Sequence, residues 1–193
     1  MLTSSYPTRP GDWRGGFVRD LARALIARDV DVEVAAPRPR PDTGDEDDGD
    51  DDPAEPGGHD PRVAWLPSLL PADGRAFHGA GIEANLRADP LGAATLPPFL
   101  LAFAAEAAIR SVFADVIVAH WLLPMGAVGS FLARLGRKPL VVVAHSGPAG
   151  VLAVPPFRNA VRYVVRAATA VACVSDAVLD RVAAVAGTGL AGR

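Results

Sequence analysis

Residues 138–147 read KPLVVVAHSG. Five apolar residues, Leu140–Ala144, stand in a row between Pro139 and a polar His-Ser-Gly turn. A run so short and so uniformly apolar predicts a strand buried on both faces, the kind found in parallel sheets. The stretch at 115–126, DVIVAHWLLPMG, repeats the pattern, with an apolar strand at 115–119 and then a histidine. Parallel strands need a crossover between them, and residues 125–135 supply a helix for it after Pro124.

The same alternation extends in both directions. Downstream, Phe157–Ala167 reads as a helix and 169–174 as a strand. A helix follows at 177–186, with Ser175 or Asp176 as its cap. Upstream, Leu96–Phe113 is an Ala- and Leu-rich helix with Pro97 and Pro98 in its first turn. Arg62–Leu66 is a short strand, and 67–90 is mostly loop with a short helix over 82–87. Residues 30–36 alternate, placing Val30, Val32 and Val34 on one face and Asp31 and Glu33 on the other. Gly15 and Gly16 lead into an amphipathic helix over 17–28. The expected fold is α/β, a Rossmann-like doubly wound parallel sheet.

Composition narrows the function. The chain has 193 residues, 50% of them hydrophobic, enough for one domain with a core. A single cysteine, Cys173, excludes a disulfide scaffold or a multi-thiolate metal site within one chain. Ten of the 22 acids lie within residues 42–60, which hold no Lys or Arg. The other twelve face all 19 bases, so the rest of the chain carries +7. That favours anionic partners such as phosphates or a lipid surface. Residues 38–61 have the composition of a disordered acidic insertion. Arg158, Arg162 and Arg166 recur at helical spacing as a cationic stripe, with Arg134, Arg137 and Lys138 elsewhere; the stripe reads first as a solvated face. Nothing indicates base readout, so nucleic acid is not an expected partner. Two uncharged stretches, 116–133 and 139–157, are long enough to suggest membrane spans, but their His, Pro, Gly and Ser residues read better as strand and turn. No basic head leads into an apolar run at the N-terminus.

Four blocks in order resemble the family 4 glycosyltransferases, enzymes of the GT-B fold. They are residues 3–37 (TSSYPTRPGDWRGGFVRDLARALIARDVDVEVAAP), 115–126, 138–147 and 168–178 (ATAVACVSDAV). The stretch 77–86, FHGAGIEANL, is similar to a loop of some members. The resemblance implies two Rossmann-like domains facing a cleft. The N-terminal one mainly binds the acceptor. The C-terminal one binds the nucleotide-sugar and carries two glutamates separated by seven residues. Residues 1–187 match the first domain, 188–193 the start of a linker, and the donor-binding domain is absent from this sequence. The few residues before the Gly-rich loop read as a clipped first strand.

The resemblance also assigns roles. Gly15 and Gly16 line the donor diphosphate, an anion site of the kind that a helix N-terminus offers. Their spacing with Gly11 fits neither a Walker loop nor a dinucleotide fingerprint. His120 is the expected catalytic-site residue, beside donor sugar and acceptor. Trp121, His145, Ser146 and Ser175 are the candidate acceptor or sugar contacts, with core packing as the competing role of Trp121 and helix capping as that of Ser175. The loop after His145 lacks the acid that often follows in the family; the next acid is Asp176. The expected reaction is retaining transfer from a nucleotide-diphosphate sugar to an acceptor hydroxyl of a sugar or lipid-linked molecule. It uses no metal and no resident cofactor, and a separate donor-domain chain is a conceivable partner. The expected location is cytoplasmic, with peripheral contact at the inner face of the membrane as a variant. A non-catalytic glycan- or partner-binding half and one half of a split transferase are the alternatives. A serine hydrolase is remote, because Ala144 and Pro148 break the nucleophile-elbow pattern around Ser146 and no histidine follows His145.

Overall fold

A computed structural model of the chain describes residues 1–8, 12–39, 60–68, 74–77, 82, 85, 88–89, 94–145, 154–155 and 157–187. The fold is mixed α/β with parallel sheets. It divides into two units, Thr3–Ala107 and Met1–Leu2 with Ala108–Arg193. The acidic insertion, most of the 82–87 helix and Ser146 lie outside the described residues.

In the first unit, helix α1 (Gly16–Ile26) precedes strands β1 (Glu33–Pro37) and β2 (Arg62–Leu66). The two strands pair in parallel, Glu33 opposite Arg62 through Pro37 opposite Leu66. Thr3 N–H also donates to the Ala35 carbonyl at 3.0 Å. β1 starts three residues later than the alternation suggests. Val30 N–H donates back to the Leu25 carbonyl, and Asp29 is left-handed with φ 61°. The helix ending thus absorbs Val30, which stays exposed, while Val32 and Val34 are buried. Helix α2 (Leu96–Arg110) buries Phe99, Ala102 and Phe103. Phe99 packs against Phe77 with ring centroids 4.7 Å apart. Glu106 is also buried, and its two carboxylate oxygens accept from Ser68 N–H and Oγ at 2.7–2.9 Å. A buried carboxylate is tolerable when charge-assisted hydrogen bonds surround it.

Leu96–Phe113 is mostly apolar apart from Glu106 and Arg110, and among the described residues it is the helix long enough to cross a membrane by length and composition alone. It was expected as a single helix. It is α-helical only to Arg110, and Ser111–Phe113 tighten into a 3₁₀ turn. Such tightening is common where a helix runs out of partners for its last carbonyls.

In the second unit, β3 (Ile117–His120), β4 (Leu140–Ala144) and β5 (Ala170–Cys173) form a parallel sheet in that order. Leu2 adds one bridge to β3, with its N–H on the Val118 carbonyl and its carbonyl accepting from His120 N–H. Helices α3 (Ala127–Gly136), α4 (Phe157–Ala167) and α5 (Asp176–Ala186) connect or follow the strands. α3 starts two residues later than expected, because Leu122–Gly126 form a wide turn closed by Gly126 N–H on the Trp121 carbonyl. β4 alternates buried with half-buried residues instead of being buried throughout, and β5 has no fully buried residue. β5 is the outer strand of its sheet, covered less than its neighbours. The cationic stripe on α4 is interrupted: Arg162 is half-buried and its Nε donates to the Val185 carbonyl at 2.9 Å.

Phe103 is fully buried and packs beside Phe99. Phe103→Ala is expected to cost about 3–5 kcal/mol, read as a lower urea midpoint. An unchanged midpoint would mean that α2 is not packed as described.

Candidate functional site

His120 ends β3 and His145 directly follows β4. The parallel register sets His120 opposite Val143, and Trp121 N–H donates to the Val143 carbonyl at 2.8 Å. Both histidines therefore leave the sheet at its carboxyl edge, where ligands bind in open α/β sheets. There the two rings meet. His120 Nδ1 lies 2.9 Å from His145 Nε2, and the rings stack with an interplanar angle of 11°. One nitrogen of this contact must donate and the other accept, so at least one ring is neutral.

Trp121 completes the cluster. Its ring lies 5.2 Å from that of His145 and 6.3 Å from that of His120. Its backbone is left-handed, φ 66°, an unusual conformation for so bulky a side chain. Gly126 allows the turn to close. A Cβ there would sit 3.0 Å from the Trp121 carbonyl oxygen and 3.0 Å from Val164 Cγ1.

Burial sets the electrostatics. His120 is fully buried, whereas His145 and Trp121 are half-buried. Burial pushes the His120 pKa down to about 3, with the His145 ring and the Met1 ammonium adding to the effect. Burial also lowers the pKa of His145. At neutral pH the pair is uncharged. So weak a base as His120 is poorly matched to general-base catalysis near pH 7. A neutral imidazole pair can still donate to and accept from hydroxyl groups.

The other expected residues are placed separately. Ser175 caps α5, its Oγ accepting from Val178 N–H at 3.3 Å. Ser146 is outside the described residues. Gly15 and Gly16 belong to the first unit. Gly15 is left-handed, φ 71°, and a Cβ there would fall 2.4 Å from the Ser5 carbonyl oxygen. Around Gly16 the space is open. Among the described residues, no three His, Cys, Asp or Glu side chains gather as a metal site.

Sequence reasoning missed Asp12, which shapes the glycine turn. Its carboxylate is buried and accepts from Thr8 N–H and Oγ1 and from Arg14 N–H and Nε, at 3.0–3.2 Å. Burial alone would raise the Asp12 pKa, but the Thr8 and Arg14 hydrogen bonds outweigh it and hold the carboxyl below its usual value. The signal was local: an acid between two hydrogen-bonding residues just before a Gly-Gly pair.

Two predictions follow from this geometry. Gly15→Ala places a side chain in a left-handed turn against a backbone carbonyl, and should destabilise the chain by about 1–3 kcal/mol or more, measured by urea denaturation. The second concerns pH. The folded pKa of His120 lies below the value of 6.5 for a free histidine. The unfolded chain therefore binds more protons between about pH 3 and about pH 6.5, and stability falls as pH drops through that window. The urea midpoint should be lower at pH 5 than at pH 7. In His120→Gln the difference between the two pH values should shrink, whatever the absolute midpoint.

No curated protein matches this chain. Residues 15–189 match the family model described as a glycosyl transferase 4-like domain. The match takes in Gly15, Gly16, β3, β4 and the histidine pair. On that match the chain belongs to the glycosyl transferase 4-like domain family.

Proposed function

We propose that this chain is the acceptor-side half of a retaining glycosyltransferase. The donor is a nucleotide-diphosphate sugar and the acceptor is a hydroxyl of a sugar or lipid-linked molecule. The nucleotide is held mainly by a donor-side domain, on a longer form of this chain or on another polypeptide. The observation that carries the reading is the His120–His145–Trp121 cluster at the carboxyl edge of a parallel sheet, within the family match.

In this reading the half-buried Trp121 and His145 meet the sugar. An aromatic face suits the apolar side of a sugar ring, and a neutral imidazole suits its hydroxyls. His120 lies behind them and sets the orientation and tautomer of His145 through the 2.9 Å contact. It is then a positioning residue. In the first unit taken by itself, the open space beside Gly16 and the N-terminus of α1 suit a phosphate, as the resemblance implies for Gly15 and Gly16. The acceptor hydroxyl is the nucleophile. The protein contributes orientation, phosphate stabilisation and exclusion of water, with no resident cofactor. Ser175 remains with its helix cap. A single free cysteine fits a reducing, cytoplasmic setting.

The test is transfer of radiolabelled sugar from a panel of nucleotide-sugars to sugar and lipid-linked acceptors. It is run with the chain alone and with a donor-side domain added. His145→Ala should lower kcat by about 2–10-fold, the loss expected for a hydrogen bond between neutral groups. His120→Asn should lower kcat less and shift the pH profile. Binding of a nucleotide-sugar or glycan without turnover in either setting would favour the non-catalytic reading. Absence of both binding and transfer would sink the proposal.

A further inference from the structure

The chain's three tryptophans differ in their surroundings. Trp65 is half-buried and meets Tyr6 edge-on, with ring centroids 6.1 Å apart. Trp121 is half-buried against His145. Trp13 is 79% exposed, and among the described residues its indole packs on no other ring. An indole left in water forgoes one of the largest apolar gains that a side chain offers. Yet the backbone beneath it is held on both sides. Trp13 stands between Asp12 and Arg14, which are joined by a salt bridge at 3.0 Å. The Trp13 carbonyl accepts from Gly16 N–H at 3.1 Å. Gly15 turns left-handed so close to the Ser5 carbonyl that no Cβ would fit. The ring is thus offered to solvent on a turn with little backbone freedom left to lose on binding.

Size and charge decide what such a ring can hold. Phe17, in the first turn of α1, is the other exposed large apolar side chain within residues 12–20. Two aromatic rings offer about 150–250 Å² each. That is well short of the roughly 800 Å² that each partner gives to a stable protein interface. Residues 12–20 hold two acids and two bases, paired as Asp12 with Arg14 at 3.0 Å and Arg19 with Asp20 at 3.8 Å. Their charges cancel, so these side chains select no ionic ligand. Space is open beside Gly16. A flat apolar plate in a charge-balanced setting matches the C–H face of a neutral sugar ring.

We propose that Trp13 is a stacking platform for a neutral sugar ring of the acceptor, and so a specificity-determining residue of this half. The inference rests on the acceptor-side reading of the chain and deepens it. It names an acceptor class, a carbohydrate uncharged at the contacted ring, and a binding residue in the first unit taken by itself. Stacking holds a ring by its face and reads no single hydroxyl. Trp13 therefore selects for a sugar ring and leaves the choice among hexoses to hydrogen-bonding groups.

The experiment is an NMR titration of the isotope-labelled full chain with the methyl glycosides of glucose, galactose and mannose, and with uridine as a competing flat ligand. The three indole N–H signals are followed. Trp13→Phe removes one of them and so identifies it. Affinities of the variants are read from saturation transfer to the glycoside, which needs no indole. The Trp13 signal should shift saturably with at least one glycoside, and less with uridine. Trp13→Ala should weaken glycoside binding by about 3–10-fold, the loss expected for a stacked ring. Trp13→Phe, which keeps an aromatic face, should recover most of it. Trp13 is exposed, so both variants should fold, as an unchanged pattern of the other amide signals would show. Glycoside binding that moves only the Trp65 or Trp121 signal, or that Trp13→Ala leaves intact, would overturn the inference while the acceptor-side reading stands. Tighter binding of uridine would overturn it in favour of a nucleobase platform. No response to any glycoside would overturn it as well, and sugar transfer by the same chain would then show that the acceptor-side reading survives.

Discussion

Parallel pairing of β3 with β4 is the constraint on which the candidate site depends. It takes His120 and His145, 25 residues apart, and brings their ring nitrogens to 2.9 Å. The pairing is kept by close packing beneath it. A Cβ at Gly129 would fall 3.1 Å from Ala119 Cβ and 3.1 Å from Leu140 Cδ1. Even a methyl there would need both neighbours to give by a few tenths of an ångström. Ser130, also buried, spends its hydroxyl on the Gly126 carbonyl at 2.7 Å. The helix, the wide turn and Trp121 are thus tied to the sheet that places the histidines.

That packing also decides the chemistry of the site. A histidine pair in water would titrate near neutrality and could carry charge. Here burial removes the charge, and the pair becomes a rigid hydrogen-bonding unit. Neutral groups suit sugar hydroxyls, which need donors and acceptors and gain little from a full charge. Binding of a diphosphate calls for the opposite, a cluster of N–H dipoles or cations. The glycine turn ahead of α1 has the first of these, and Asp12 gives it shape through four hydrogen bonds. In the first unit as in the second, a buried polar side chain is satisfied by hydrogen bonds within a turn.

Much of the fold was legible from residue pattern alone. β2, β4 and α4 fall at the expected bounds, because proline, charge or glycine marks their ends and the apolar runs are uninterrupted. The start of β1 was not legible, because a valine in strand-like alternation serves as a helix ending when the preceding Asp29 turns left-handed. The wide turn at Leu122–Gly126 was not legible either, since its unusual backbone depends on contacts of Trp121 and Gly126 with other elements. Arg162 looked like one member of a solvated stripe until the end of α5 came within reach of its guanidinium.

The sequence by itself determined the α/β class, the strand–helix order and the two histidines as neighbours along one sheet edge. These follow from short-range pattern: apolar runs, turn residues and the position of each histidine just after a strand. Only the tertiary structure decided that His120 is buried and His145 half-open, that their rings touch, and that both are neutral. Depth and protonation are set by what packs around a side chain, and those neighbours come from distant parts of the chain. The same holds for Phe113: it is an ordinary core former in sequence, and only the fold leaves it in solvent.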